Sequence, residues 1–199
     1  EKNNYKINEK IKSFKNTNNI QSNPNSIKRA AKLISNSSKG IIIVGGGIKY
    51  TSGFKPVIEL AEYLNVPIVT AAGHGDAIPF NHKLNAGQMG PRGNPVATKL
   101  TKEADIILAI GTRLGFNSTF YSFENINKKA KIIQVELEKK MLGKYFPIKI
   151  GINADAATTA NQLLREFKKQ KIESEVKIWT DNFKKERSNY LFQRDKDRK

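Results

Sequence analysis

The sequence contains no cysteine. That excludes a disulfide framework and any thiolate metal site. It has only two histidines, His74 and His82, eight residues apart in one loop with Asp76 between them. No third strong ligand falls at a suitable spacing, so no metal site is expected. Nor can a Ser, His and acid trio be assembled from the residues present. Long apolar runs are also lacking: residues 41–44 and 106–110 fall far below the roughly 20 residues a bilayer-spanning helix needs. The Lys- and Asn-rich start has no apolar core, so no signal peptide and a cytoplasmic location are expected.

Arginine is scarce. Of 35 basic residues, 28 are Lys and seven are Arg, against 18 acidic residues, for a net charge of +17. Such a charge suggests nucleic acid. However, the lysines are scattered singly, and Lys, Asn and Ile, all frequent here, share AT-rich codons. No zinc-finger, helix-turn-helix or RNA-binding aromatic pattern accompanies them. A solvated basic surface is the expectation, with neither nucleic acid nor membrane as partner. The field still favours small anionic ligands.

The chain is long enough for one domain with a core. Residues 1–23 read as a polar linker or arm. Asn25 or Ser26 can cap a helix carrying Ile27, Ala30, Ala31, Leu33 and Ile34 at helical spacing. Residues 41–44 are apolar without alternation, as in a strand buried on both faces. A helix is predicted over 54–64, a strand over 66–70 and a long Gly/Pro/Asn/His loop over 71–95, a length that is usually functional. A short helix over 94–104 and a buried strand over 105–110 follow. After another long loop come strands over 131–135 and 148–152, and a helix over 155–167. The segment 171–199 reads as a thinly apolar helical connector that packs on another domain. Strand and helix alternation of this kind predicts an α/β, Rossmann-like parallel sheet of five to six strands with helices on both faces, of the NAD/FAD-binding type.

Ligands of open parallel sheets bind at the carboxyl ends of the strands. Those ends carry Gly45-Gly46-Gly47, residues 71–76, Gly111-Thr112-Arg113 and Glu136. Glycines permit close backbone approach to a pyrophosphate and offer N–H donors to it. Arg113 can pair with phosphate, and Glu136 can accept from ribose hydroxyls. A tight turn alone would equally explain each glycine run, since Gly45-Gly46-Gly47 matches neither the dinucleotide fingerprint nor the phosphate loop. Together these residues suggest a dinucleotide-sized ligand.

Residues 41–47, 67–70, the loop Gly87-Gln88-Met89-Gly90-Pro91-Arg92-Gly93 and residues 104–114 resemble the central domain of thiamine-diphosphate enzymes of the acetolactate synthase group. The resemblance covers roughly residues 24–170, leaving 1–23 and 171–199 as flanks. Gly111-Thr112-Arg113-Leu114-Gly115-Phe116 and Lys140-Met141-Leu142-Gly143 look like the sulfoacetaldehyde acetyltransferase branch, whose members convert sulfoacetaldehyde and phosphate to acetyl phosphate and sulfite. Asp155 resembles part of a closing G-D-A segment, with Asn153-Ala154 replacing the usual glycine. The resemblance implies FAD or ADP at Gly45, Gly46, Gly47, Gly87, Gly90, Gly93, Gly111, Thr112, Arg113, Glu136 and Asp155, with no catalytic residue in this chain. It also implies that thiamine diphosphate and Mg²⁺ are held by flanking catalytic domains of the same polypeptide. The full enzyme would then be a homodimer or homotetramer, and this stretch alone would be inactive. An acetolactate synthase-type domain and a free-standing nucleotide-binding module are the alternatives.

Overall fold

The computed structural model describes residues 20–50, 53–171 and 176–197. Most of the expected N-terminal arm lies outside that range. In chain order the elements are α1 (Pro24–Ser35), β1 (Gly40–Val44), α2 (Gly47–Tyr50), α3 (Phe54–Leu64), β2 (Ile68–Thr70), β3 (Asn85–Gln88), α4 (Pro95–Glu103), β4 (Ile106–Ile110), α5 (Phe116–Thr119), β5 (Lys131–Glu136), β6 (Ile150–Asn153), α6 (Ala156–Gln170) and α7 (Lys177–Lys196).

The six strands form one sheet in the order β3-β2-β1-β4-β5-β6, and every pairing is parallel. The α/β expectation therefore holds, at the upper end of the strand count. Alternate residues of each strand feed opposite faces. Ile42, Val44, Leu108, Ile110, Ile133 and Val135 pack beneath α1, α3 and α6. Ile41, Ile43, Ile107, Ala109 and Ile132 face the other way, toward α4 and Phe183 of α7. Both faces are thus covered, which is why these strands show no polar alternation.

Helix starts follow side-chain caps. Asn94 Oδ1 accepts from the Val96 amide, with Pro95 as the first helical residue of α4. The same arrangement moves the start of α1. Asn23 is the cap, its Oδ1 accepting from the Asn25 amide at 2.9 Å, and Pro24 opens the helix. Neither Asn25 nor Ser26 has that role, because proline belongs at the first helical position, where its missing N–H costs nothing. Residues just before the cap are part of the folded body. Ser22 is buried, and its hydroxyl lies 2.7 Å from that of Thr159 on α6.

Three further differences from the sequence reading have physical causes. The loop expected over 71–95 contains β3, an edge strand paired only with β2 through an irregular register. Its sequence, Asn-Ala-Gly-Gln, has no β-branched residue to announce it. The last strand runs from Ile150 to Asn153, two residues later than expected at its start. Finally, α7 docks on this domain and does not leave it. Trp179 Nε1 donates to the Gly40 carbonyl at 3.1 Å, and Thr180 Oγ1 donates to the Asn65 carbonyl. Arg187 donates from Nε to the Asn85 carbonyl at 2.7 Å and from Nη2 to the Phe80 carbonyl at 2.8 Å. These bonds tie the long 71–84 loop to the helix.

Phe183 is the only large apolar side chain of α7 that is fully buried among its described residues. Phe183→Ala is expected to cost about 3–5 kcal/mol in urea denaturation of the chain. A loss below about 1 kcal/mol, the range of surface substitutions, would mean that α7 does not rest on the sheet in solution.

Candidate functional site

Strand order reverses direction between β1 and β4: β2 and β3 extend one way, β5 and β6 the other. A crevice opens at the carboxyl ends of strands on either side of such a switch point. Here it is a cleft of about 610 Å³, walled by Gly45-Gly46-Gly47, residues 71, 72 and 74, the 111–118 turn, and Glu136 to Glu138. That volume suits a cofactor-sized ligand. A second groove, about 580 Å³ and mostly apolar, lies between α4 and α7 near the amino ends of β1 and β4. It contains none of the strand-end residues.

The glycines of the cleft pack backbone on backbone. A Cβ built on Gly45 would lie 2.5 Å from the Gly111 carbonyl oxygen, and one on Gly47 would lie 2.7 Å from Gly111 Cα. Gly111 itself has φ +60°, a conformation disfavoured for other residues. The Gly45 amide donates to the Ile110 carbonyl at 3.2 Å, and the Gly47 amide donates to the Gly111 carbonyl at 2.9 Å. The amides of Ile48 and Lys49 donate to Gly45 and Gly46. The expectation that this run presents its N–H groups to a pyrophosphate therefore fails for Gly45 and Gly47, whose donors are already engaged. The tight-turn reading describes them better.

Polar groups converge from the other strand ends. Thr112 is buried, and its Oγ1 accepts from the Leu114 amide at 3.2 Å. Arg113 reaches across to the end of β5, with Nε 3.8 Å from Glu136 and Nη2 3.0 Å from Glu138. Lys140 also binds Glu138, at 2.6 Å. The Lys140 ammonium, helped by the Arg113 charge, holds the Glu138 carboxyl below the usual carboxylate range. Beneath these groups, Gln134 is buried in β5. Its Nε2 donates to the Thr112 carbonyl and its Oε1 accepts from the Gly143 amide at 2.8 Å. One side chain thus fixes both loops that flank the carboxylates.

Of the site residues expected from sequence, the structure gathers Gly45, Gly46, Gly47, Gly111, Thr112, Arg113 and Glu136 around one cleft. Gly87, Gly90, Gly93 and Asp155 are not among its walls. Gly87 packs on the Asn94 side chain and Gly93 on the Gln88 carbonyl. Gly90 sits behind the cleft wall, where a Cβ would meet the Asn117 carbonyl at 2.8 Å. Asp155 is the cap of α6: it is buried, and Oδ1 accepts from the Thr158 amide at 2.7 Å.

The sequence reading missed Glu138, Ser118 and Phe116. Glu138 was findable, lying two residues beyond Glu136 at a strand end. His74 belongs to the 71–76 strand end to which the sequence pointed, but as a single residue it is considered there only as a metal ligand. Among the described residues, no group of three or more His, Asp or Glu side chains is arranged to hold a metal ion.

Residues 27–163 match the family model described as "Thiamine pyrophosphate enzyme, central domain". The chain is 36% identical over 149 residues to a sulfoacetaldehyde acetyltransferase of Castellaniella defragrans, covering 74% of this chain and 25% of that protein. It is 36% identical over 143 residues to the enzyme of that name from Roseovarius nubinhibens, covering 71% of this chain and 24% of the relative. A probable acetolactate synthase large subunit of Methanocaldococcus jannaschii is 31% identical over 141 residues, 71% of this chain and 24% of that protein. The chain spans about a quarter of the length of these relatives.

Gly45→Ala forces the β1 and β4 turns apart, whereas Gly115 at the cleft rim has nothing within 4 Å of an added Cβ. Gly45→Ala is expected to destabilise the chain by about 1–3 kcal/mol, the range for overpacking. Gly115→Ala should stay within about 0.5 kcal/mol. Paired thermal melts would check this, and equal effects would refute the backbone-contact role.

Proposed function

The chain belongs to the central-domain family of thiamine pyrophosphate enzymes, and from that premise we propose that it is the middle domain of a sulfoacetaldehyde acetyltransferase. The supporting observation is the 36% identity to enzymes of that name, against 28% and 31% for two archaeal acetolactate synthase subunits over a similar stretch. The full enzyme would break the C–S bond of sulfoacetaldehyde, release sulfite and join the two-carbon unit to a phosphate oxygen as acetyl phosphate, a mixed anhydride. An acetolactate synthase-type carboligase is the second reading, favoured by the matches to that group.

The residues described here do not fit thiamine diphosphate and its metal. No cluster of carboxylates or imidazoles suits a cation among them, so no step of the reaction is assigned to this chain. Its role is to support flanking catalytic domains in an oligomeric, cytoplasmic enzyme.

FAD or ADP fits the switch-point cleft better. The cleft has a suitable volume, a carboxylate pair at the end of β5 able to accept from sugar hydroxyls, and Arg113 beside them. A bound nucleotide would supply structural support here and no group transfer, since the family's chemistry belongs to the thiamine cofactor. Arg113 neutralises Glu136 and Glu138, and without it two carboxylates would face the ligand and repel phosphate. Gly87, Gly90, Gly93 and Asp155 would contribute by shaping loops behind the cleft.

The test is the full-length polypeptide supplied with thiamine diphosphate and Mg²⁺. Sulfite and acetyl phosphate formed from sulfoacetaldehyde and phosphate are expected. In a parallel reaction with pyruvate, formation of acetolactate and CO2 in their place would favour the second reading, and neither set of products would overturn both. In the same preparations, Arg113→Ala should lower the FAD or ADP released on denaturation at unchanged melting temperature. Equal nucleotide content would remove Arg113 from the site.

A further inference from the structure

His74 lies four residues past the end of β2, where the chain crosses over the glycine turn that follows β1. Its ring covers Gly46 so closely that a Cβ there would lie 2.7 Å from Cε1. Nδ1 is buried and has no hydrogen-bond partner. Nε2 is not among the buried unpartnered atoms, and the residue lines the cleft. This asymmetry selects one tautomer of the uncharged ring. A proton on Nδ1 would be a buried donor without an acceptor, which costs more than a proton on Nε2 that meets solvent or a ligand.

The backbone that carries the ring is also held in place. The Ala72 amide donates to Ser118 Oγ at 2.9 Å and the Gly73 amide to Gln88 Oε1 at 3.0 Å. Lys49, just after the glycine turn, pairs with Asp76 on the same loop. The loop that aims His74 is thus fastened at three points to neighbouring elements.

Three other donors of the cleft are committed within the protein. The Gly45 and Gly47 amides are engaged internally, and Arg113 is shared between two carboxylates. On the β5 side Glu136 and Glu138 are balanced by Arg113 and Lys140, and the carboxylate oxygens remain acceptors for hydroxyls. A ligand with hydroxyls at one end and phosphoryl oxygens at the other meets acceptors for its hydroxyls at β5, which leaves its anionic end for the β2 side. We propose that His74 Nε2–H is the hydrogen-bond donor that binds the phosphoryl oxygens of the cleft's ligand, orienting its anionic end toward β2 and away from Glu136. This inference rests on the nucleotide reading of the cleft and adds the residue and polarity of recognition.

The chain's two histidines provide the test. His82 lies near Glu62, with Nε2 to Oε1 at 3.4 Å, and its Nδ1 accepts from the Leu84 amide. It is outside the cleft and serves as an internal control. The 199-residue chain, uniformly labelled with ¹⁵N, is titrated with inorganic pyrophosphate and with ADP while imidazole ring resonances are followed by NMR. The free chain should show His74 as the Nε2–H tautomer, and both ligands should shift His74 while leaving His82 in place. By calorimetry, His74→Ala should weaken ADP about tenfold or more, the size of a lost hydrogen bond to a charged group. His74→Gln, which retains an N–H donor, should recover part of that loss.

ADP binding with an unmoved His74 and undiminished affinity in His74→Ala would overturn the His74 role while leaving the nucleotide reading standing. Pyrophosphate shifts without ADP binding would support the His74 anion contact and overturn the nucleotide reading. Binding of neither ligand would overturn both.

Discussion

Two chain turns touch backbone to backbone at the centre of this molecule, and the geometry of the cleft depends on that contact. Gly45 and Gly47 after β1 meet Gly111 after β4 at distances that leave no room for a Cβ. The Gly47 amide closes the contact with a 2.9 Å hydrogen bond to the Gly111 carbonyl. Because β1 and β4 are the central pair of the sheet, their approach fixes where the strand ends diverge. The crevice opens immediately above it.

Other walls of the cleft are tied together by polar links. Gln134 secures the Thr112 turn and the Gly143 loop together. Ser118 and Gln88 hold the 71–74 segment. At the opposite end of the sheet, Asp105 Oδ2 accepts from the Ser38 amide and hydroxyl and from the Lys39 amide, fastening the entry to β1 onto the start of β4. The Ala104-Asp105 pair that carried much of the family resemblance therefore does structural work far from the cleft.

The sheet was legible because its central strands, such as 41–44 and 106–110, are dense in branched apolar residues. The edge strand β3 was not, because Asn85-Ala86-Gly87-Gln88 looks like a loop until β2 is beside it. In the site, strand-end position pointed to Arg113 and Glu136, and both line the one cleft. Composition could not distinguish glycines that face a ligand from glycines that face each other. Gly87, Gly90 and Gly93 belong to local loop packing, and Asp155 to a helix cap. A single sequence also does not reveal that a histidine ring in a long loop lies over Gly46. That fact exists only once β1 and β2 are adjacent.

The Gly45 and Gly47 amides are engaged by the protein itself and do not wait for a phosphate. Amide hydrogen exchange at Gly45 and Gly47, with and without saturating ADP, tests this most directly. Protection of both amides in the ligand-free chain, unchanged by ADP, is the predicted result. Fast exchange that ADP alone suppresses would contradict the account and restore the glycine turn as the anion cradle.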